Sequence, residues 1–125
     1  MEKNRTILLV EDDTSTVEVY SDELKEKGYE VICINNGREA LELLNSKKIN
    51  FNIIIIDLKL PKMDGEELIK KIRNNHINIP IIICTAYPFK NSFKKLYEKL
   101  TDAIFTKPVD LDILTNKINE LIKQE

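Results

Sequence analysis

Short aliphatic runs alternate along the chain with segments in which apolar residues recur every three or four positions. Runs rich in β-branched residues predict strands, and the helical spacing predicts amphipathic helices. Strands are predicted at residues 6–10, 29–34, 53–56, 79–84 and 103–106. The helical stripes are Val17, Tyr20 and Leu24; Ala40, Leu41 and Leu44; Leu68, Ile69 and Ile72; Phe93, Leu96, Tyr97 and Leu100; and Leu111, Leu114, Ile118, Leu121 and Ile122. Gly28 is expected to stop the first helix, and Asn36 and Asp64 are predicted to cap the second and third.

These elements occur in strict order, a strand followed by a helix, five times. Parallel strands need crossover helices, and crossovers are almost always right-handed, so helices cover both faces of the sheet. The sequence therefore predicts an α/β fold: a doubly wound (βα)5 three-layer sandwich around a five-stranded parallel sheet. Residues 1–125 are expected to form a single domain, because the pattern contains no repeat and no linker.

Composition and charge narrow the classes of function. The 19 Lys and Arg against 21 Asp and Glu give a net charge of −2, which argues against a nucleic-acid partner. No apolar run approaches the roughly 18 residues of a membrane span, and the first residues do not resemble a signal peptide. Two cysteines, Cys33 and Cys84, are too few for a disulfide framework and indicate a reducing, cytoplasmic location. Both fall in predicted strands and are expected to be buried.

Residues that can carry chemistry follow four of the five predicted strands. They are Glu11, Asp12 and Asp13 after the first strand, Asp57 after the third, Thr85 at the end of the fourth and Lys107 after the fifth. Ligands of such sheets bind beyond the carboxyl ends of the strands. Clustered carboxylates favour a hard cation such as Mg²⁺, and a carboxylate can act as a nucleophile toward phosphorus. An ammonium group and a hydroxyl can bind phosphoryl oxygens, so the set predicts a phosphoryl-transfer site.

Each of these residues alone has an ordinary structural explanation. The acids after the first strand could stabilise a helix amino terminus, and Asp57 could cap a strand. Threonine is common in strands, and Lys107 with Pro108 could form a turn. All of them together at the ends of four strands are improbable as an accident, which favours the functional interpretation.

The same residues resemble a known family, the receiver domains of two-component response regulators. The likeness covers essentially the whole chain and lies in the segments Ile7–Asp13, Asp57–Gly65, Thr85–Ala86 and Thr106–Pro108. The resemblance implies a flavodoxin-like strand order, 2-1-3-4-5. It also implies a stand-alone receiver without an output domain, similar to the sporulation phosphorelay intermediate and the chemotaxis response regulator.

The resemblance further implies roles for the acidic residues. Asp57 would accept a phosphoryl group from a phosphohistidine on a sensor histidine kinase or a histidine phosphotransfer protein. Asp12, Asp57 and the backbone carbonyl of Lys59 would bind Mg²⁺ directly, and Glu11 would hold it through water. The signal would pass to a downstream protein target, and the domain would not be a metabolic enzyme.

Lys107 would pair with the phosphoryl group, and the Thr85 hydroxyl would move to bond it. The third residue before Lys107 is usually aromatic in the family, but here it is Ile104, and Phe105 is expected to face the other side of the strand. Coupling through that aromatic ring is therefore not expected. The residues before the fifth strand, Thr101–Ala103, also replace a usual Gly-Ala pair.

The missing aromatic residue, together with Lys59 and Tyr87, favours a relay intermediate over an output that rearranges its fourth helix. Lys59 lies two residues after Asp57, and Tyr87 lies two residues after Thr85. Both side chains are expected to shield the acyl phosphate from water, so that it hydrolyses slowly. The Lys107–Pro108 peptide bond is expected to be cis.

Three alternatives remain open. A hydrolase of the haloacid-dehalogenase type would need an acid two residues after its nucleophile, where this chain has Lys59. An FMN carrier would need a phosphate loop rich in Ser, Thr and Gly after the first strand, where this chain has three acids. The third alternative is a receiver-like docking module that acts without phosphorylation.

Overall fold

Strands and helices alternate along the chain as the hydrophobic pattern predicts. The computed structural model describes residues 5–86 and 91–123, so that Tyr87 and the side chain of Phe93 lie outside the described part. The strands are β1 (Thr6–Val10), β2 (Glu30–Ile34), β3 (Ile53–Ile56), β4 (Ile81–Thr85) and β5 (Ala103–Thr106). The helices are α1 (Thr14–Glu26), α2 (Gly37–Ser46), α3 (Gly65–Asn74), α4 (Asn91–Leu100) and α5 (Leu111–Lys123). Among the described residues, no helix has both the length and the apolar character needed to cross a bilayer.

The five strands form one parallel sheet in the order β2-β1-β3-β4-β5. The chain goes from β1 outward to β2, returns past β1 to β3 and then continues to β4 and β5. The predicted doubly wound α/β sandwich and its strand order are therefore confirmed. Since the direction of winding reverses between β1 and β3, the crevice of this fold lies at the carboxyl ends of those two strands.

The three central strands, β1, β3 and β4, are buried along their full length. Successive side chains point to opposite faces of the sheet. Leu8 and Ile54 therefore pack against α2, α3 and α4, whereas Ile7 and Ile55 pack against α1 and α5. Each fully buried Leu or Ile side chain contributes roughly 1.5–3 kcal/mol, so the centre of the sheet is a rigid platform for whatever follows its strands.

Side chains at the helix ends behave as predicted. Asn36 and Asp64 cap α2 and α3, and each accepts a hydrogen bond at 2.9 Å from the amide three residues further on. Gly28 follows the end of α1 with φ of +97°, a conformation that glycine adopts without steric cost.

Asp13 caps α1 by accepting a hydrogen bond from the Thr16 amide at 2.9 Å. Asp13 therefore has a structural role at the amino terminus of α1.

Two predicted strand starts are wrong by one or two residues. β2 begins one residue late because the Tyr29 amide donates to the Leu24 carbonyl and so closes the end of α1. β4 begins two residues late because the Ile79 carbonyl accepts a hydrogen bond from the Arg73 guanidinium at 2.9 Å. Pro80, the next residue, has no N–H to donate to a sheet.

The prediction that both cysteines are buried is confirmed for Cys84 and wrong for Cys33, which is exposed. β2 is an edge strand, and a cavity of about 320 Å³ opens beside Cys33 between this strand and the amino ends of α1 and α2. The strand pattern identifies the face on which Cys33 lies. It does not reveal that the helix layer stops short of covering this edge.

The two residues of β5 singled out by the sequence lie on opposite faces, as predicted. Ile104 packs against the cluster that contains the fully buried Tyr97 of α4. Phe105 packs against the cluster on the other face, with α5. The aromatic ring of Phe105 is therefore separated from α4 by the sheet itself.

Candidate functional site

The ends of four strands meet at the carboxyl edge of the sheet. Backbone hydrogen bonds extend the pairing one residue beyond the strands: the Asp57 amide donates to the Val10 carbonyl at 3.0 Å, and the Lys107 amide donates to the Thr85 carbonyl at 2.8 Å. The segments that follow β1, β3, β4 and β5 therefore emerge side by side. Each of the predicted site residues lies at this edge.

Three carboxylates form a cluster at the centre of this edge. One oxygen from each of Glu11, Asp12 and Asp57 lies within 4.8 Å of the others. Glu11 is buried, Asp57 is partly buried and Asp12 is exposed, so the cluster opens to solvent on one side. Carboxylate oxygens are the ligands that Mg²⁺ prefers, and one or two of them with waters are a common set. The donor set therefore fits a hard divalent cation.

The ammonium group of Lys107 lies between two of these carboxylates. Its Nζ atom is 3.1 Å from Oδ2 of Asp57 and also binds Oε1 of Glu11. Burial by itself lowers the pKa of Lys107, but the hydrogen bonds to Glu11 and Asp57 outweigh burial and raise this pKa above its ordinary value. Lys107 is therefore a permanent cation at the base of the acidic cluster.

Glu11 is held from both of its oxygens. Oε2 accepts hydrogen bonds from the amides of Asp12 at 3.1 Å and Asp13 at 3.4 Å, while Oε1 binds Lys107. Its side chain is only 3% exposed, and this burial, together with the nearby Asp57, raises the pKa of Glu11 to about 6 in spite of Lys107. The Glu11 carboxylate is thus fixed in position, but its ionised form is disfavoured unless further positive charge is bound nearby.

Thr85 lies at the end of β4 and is almost fully buried. It pairs with Thr106 of β5, so its backbone is joined to the segment that carries Lys107. The peptide bond between Lys107 and Pro108, immediately after β5, is cis, as predicted. Thr85 and Lys107 therefore approach the same edge from neighbouring strands.

The segment 58–64, here called the acceptor loop, connects Asp57 to α3. Leu58 and Leu60 anchor it in the core, and the Lys59 amide donates to Oδ1 of Asp57 at 3.3 Å. At the far end of the loop, the Gly65 amide donates to the Leu58 carbonyl at 2.8 Å. A β-carbon at Gly65 would lie 2.5 Å from the Asp57 carbonyl oxygen, so only glycine allows α3 to begin this close to the acidic cluster.

A cavity of about 510 Å³ borders the cluster and is lined by Asp12, Asp57, Lys59, Leu60 and Pro61. The Asp57 side chain is 12% exposed, and this exposure is toward the open side of the site. A phosphoryl group and a hydrated cation both fit a space of this size. Asp57 can therefore be reached from solvent while its other oxygen remains bonded to Lys107.

The sequence indicated the members of this cluster but not all of their contacts. The family resemblance assigns Glu11 to the metal and does not predict its direct bond to Lys107. The signal was present in the sequence, because glutamate reaches one methylene further than aspartate. The contact that α2 makes with the acceptor loop through Gly37 was also not anticipated, since it depends on how two distant segments pack.

The sequence model of the response regulator receiver domain family matches residues 7–119, a range that includes every residue of the site. The chain belongs to this family. Receiver domains are phosphoaccepting signalling modules and are generally not enzymes.

Individual relatives agree with this assignment. The transcriptional regulatory protein CrdR of Helicobacter pylori is 34% identical over 122 residues, which are 97% of this chain and 56% of that protein. The chain thus spans little more than half of that relative. A CheY-like receiver domain protein from Methanospirillum hungatei has a TM-score of 0.88 at 29% identity, covering 98% of this chain and 96% of the other.

A third relative bears on the metal. The receiver domain of the sensor histidine kinase PA1611 from Pseudomonas aeruginosa has a TM-score of 0.84 at 25% identity, covering 97% of this chain and 99% of the other. That structure has a magnesium ion coordinated in its active-site cleft. In the present chain, the acidic cluster of Glu11, Asp12 and Asp57 is a set of residues that could hold such an ion.

Replacing Lys107 by methionine should lower the free energy of unfolding by about 2–4 kcal/mol, because Glu11 and Asp57 lose their common cation. Urea denaturation in Mg²⁺-free buffer measures this change. The control is Lys117→Met, which removes an exposed ion pair with Glu120 and should cost less than about 0.5 kcal/mol. Adding Glu11→Gln to Lys107→Met should restore part of the loss. Equal losses in Lys107→Met and Lys117→Met would contradict the account.

Proposed function

We propose that this receiver domain accepts a phosphoryl group on Asp57 from a phosphohistidine in a two-component or phosphorelay pathway. The observation that carries the proposal is the position of the Asp57 carboxylate. It lies 3.1 Å from the Lys107 ammonium and within 4.8 Å of the Glu11 and Asp12 carboxylates, beside an open cavity. We also propose that residues 1–125 form one receiver domain and that this domain is sufficient for the reaction.

In the proposed reaction, an oxygen of the Asp57 carboxylate attacks phosphorus while the bond from phosphorus to the histidine nitrogen breaks. The imidazole leaves with the electron pair of that bond, and an acyl phosphate forms. As the Asp57 carboxylate becomes an acyl phosphate, the Lys107 ammonium exchanges its bond to Asp57 for a bond to a phosphoryl oxygen. Asp12, Asp57 and the Lys59 backbone carbonyl, with Glu11 through water, would hold a Mg²⁺ ion, which would supply charge neutralisation for the transferred group.

One neighbouring residue completes the proposed site, and the residue before it takes no part in the chemistry. Thr85 lies at the end of β4, beside the segment that carries Lys107, and we assign its hydroxyl a hydrogen bond to the phosphoryl group that draws in the following segment. The thiol of Cys84 does not compete with Asp57 as a nucleophile, because burial raises its pKa to about 12.

We propose that the phosphodonor is a helical histidine kinase or histidine phosphotransfer protein that docks over α1. Val19 of α1 is 54% exposed and lines an apolar cavity of about 530 Å³ that also includes Tyr20, Lys107 and Pro108. Because this surface adjoins Lys107, a helix resting on it would present its histidine to Asp57. The exposed face of α1 is acidic, so a partner with a basic rim would match it.

Within such a pathway we favour the role of a relay intermediate, with signal leaving by contact with another protein. Ile104 occupies the β5 position at which the family usually has an aromatic ring, and it packs into the core beside α4. Because this side chain is short and aliphatic, we do not expect its rotation to change the surface of α4 upon phosphorylation. A relay needs only the surface around Asp57, which this arrangement preserves.

Treatment with acetyl phosphate and Mg²⁺ should add one phosphoryl group, detected by intact-protein mass spectrometry. Asp57→Asn should abolish the addition, whereas Asp22→Asn, which changes an exposed carboxylate on α1, should leave it unchanged. An unmodified wild-type protein would support the docking-module alternative instead. Continuous release of phosphate from acetyl phosphate at a high rate would indicate a hydrolase.

Asp12 and Asp13 provide a matched pair for the metal. Asp12→Asn should weaken Mg²⁺ binding at least about tenfold, because it removes a charged ligand oxygen. Asp13→Asn should leave the affinity close to that of wild type, since asparagine caps a helix as well as aspartate does. Isothermal titration with MgCl₂ compares the two. A larger loss in Asp13→Asn would show that the metal is bound elsewhere than we propose.

Lys59→Ala should shorten the lifetime of the acyl phosphate, because Lys59 lines the cavity beside Asp57 and shields phosphorus from water. A barrier lowered by about 1 kcal/mol corresponds to roughly fivefold faster hydrolysis. The decay of phosphorylated protein, followed by mass spectrometry, gives the rate, and Lys62→Ala in the same loop is the control. An unchanged lifetime in Lys59→Ala would remove the shielding role.

A further inference from the structure

The amino end of α2 packs directly on the acceptor loop. Gly37, the first residue of α2, is buried, and a β-carbon at this position would lie 2.1 Å from the carbonyl oxygen of Met63 and 2.9 Å from its β-carbon. Both separations are shorter than nonbonded atoms tolerate. The helix and the loop can therefore come this close only because residue 37 has no side chain.

If a side chain were added at residue 37, the loop would move rather than the helix. α2 is fixed by the buried Asn36 cap and by Ala40 and Leu44 in the core. The opposing part of the loop is softer, because Pro61 and Lys62 are exposed. Lys62 already has φ of +66°, a conformation that side-chain-bearing residues rarely adopt.

A shift at Met63 would be transmitted toward the acidic cluster. The Met63 amide donates to the Pro61 carbonyl at 2.8 Å, which makes this part of the loop a tight turn. Its other end cannot absorb the shift, because Gly65 abuts the backbone of Asp57. The remaining path runs back along the loop by way of Leu60, whose side chain packs in the core, to Lys59, whose amide donates to the Asp57 carboxylate.

We propose that Gly37 is a positioning residue for the acceptor site. Its close approach to Met63 sets the position of the acceptor loop, and with it the position of the Lys59 backbone carbonyl relative to the Asp57 carboxylate. The inference rests on the proposed function, because it gives Gly37 a part in the same metal and phosphoryl site. It also makes the amino end of α2 a place from which the geometry of the site can be changed.

The first test measures Mg²⁺ affinity in Gly37→Ala by isothermal titration with MgCl₂, at a temperature where circular dichroism shows every variant to be folded. The dissociation constant should rise roughly tenfold, as is usual when the support of a metal ligand is disturbed. Leu44→Ala is the control, because it destabilises the same helix about two turns away from Met63. This control separates a shift of the site from a general loss of stability, and its affinity should stay within about twofold of wild type.

A second pair of variants approaches the contact from the loop and keeps the proposal testable if Gly37→Ala does not fold. Met63→Gly removes the side chain whose β-carbon faces residue 37, loosens the loop at this contact and should also weaken Mg²⁺ binding roughly tenfold. Lys62→Gly adds a glycine to the same loop at a position that already has positive φ, so the contact at Met63 is kept. Its affinity should remain within about twofold of wild type.

The outcomes are distinct. Weak binding in Gly37→Ala and Met63→Gly, with near wild-type binding in Leu44→Ala and Lys62→Gly, supports the proposal. Folded Gly37→Ala or Met63→Gly protein with wild-type affinity overturns it while leaving the proposed function intact. Wild-type protein that neither binds Mg²⁺ nor takes up a phosphoryl group overturns the proposed function and this inference together, and that result requires no variant.

Discussion

The arrangement of the acidic cluster depends on one positively charged side chain, Lys107, which lies between its carboxylates. Glu11, Asp12 and Asp57 are brought within a few ångströms of one another by the parallel sheet, and like charges at that distance repel. The Lys107 ammonium binds two of them and lowers the cost of holding all three together. It does so incompletely, because Glu11 still has a raised pKa. The remaining negative charge favours a divalent cation, and a bound cation in turn makes room for an anionic phosphoryl group.

Such a site needs a rigid support, which the central strands provide. β1, β3 and β4 are buried on both faces, and their branched side chains leave little freedom for the residues that follow them. The electrostatic repulsion among the clustered carboxylates is therefore offset by the hydrophobic packing of the strands beneath the site. This division also explains why the acidic residues and Lys107 lie just beyond the strands, while the central strands consist mostly of Ile, Leu and Val.

The acceptor loop is positioned by two close backbone approaches, each made possible by a glycine. Gly65 allows α3 to begin against the backbone of Asp57, and Gly37 allows α2 to begin against Met63. The loop is consequently held between two helix amino ends that are capped in the same way, by Asn36 and by Asp64. Helices on one face of the sheet thus control the geometry of a site at its edge.

The order of the elements, the helix caps and the residues of the acidic cluster could all be predicted from the amino-acid sequence. This is possible because period, cap chemistry and position at a strand end are local properties, visible at Asn36, Asp64 and Asp57 without knowledge of distant neighbours. Three features could be seen only in the folded protein: Cys33 is exposed, Glu11 binds Lys107, and Gly37 lies against Met63. Each of these depends on how segments far apart in the chain pack together: how far a helix covers an edge strand, how far a side chain reaches across strands, and how closely two backbones can approach.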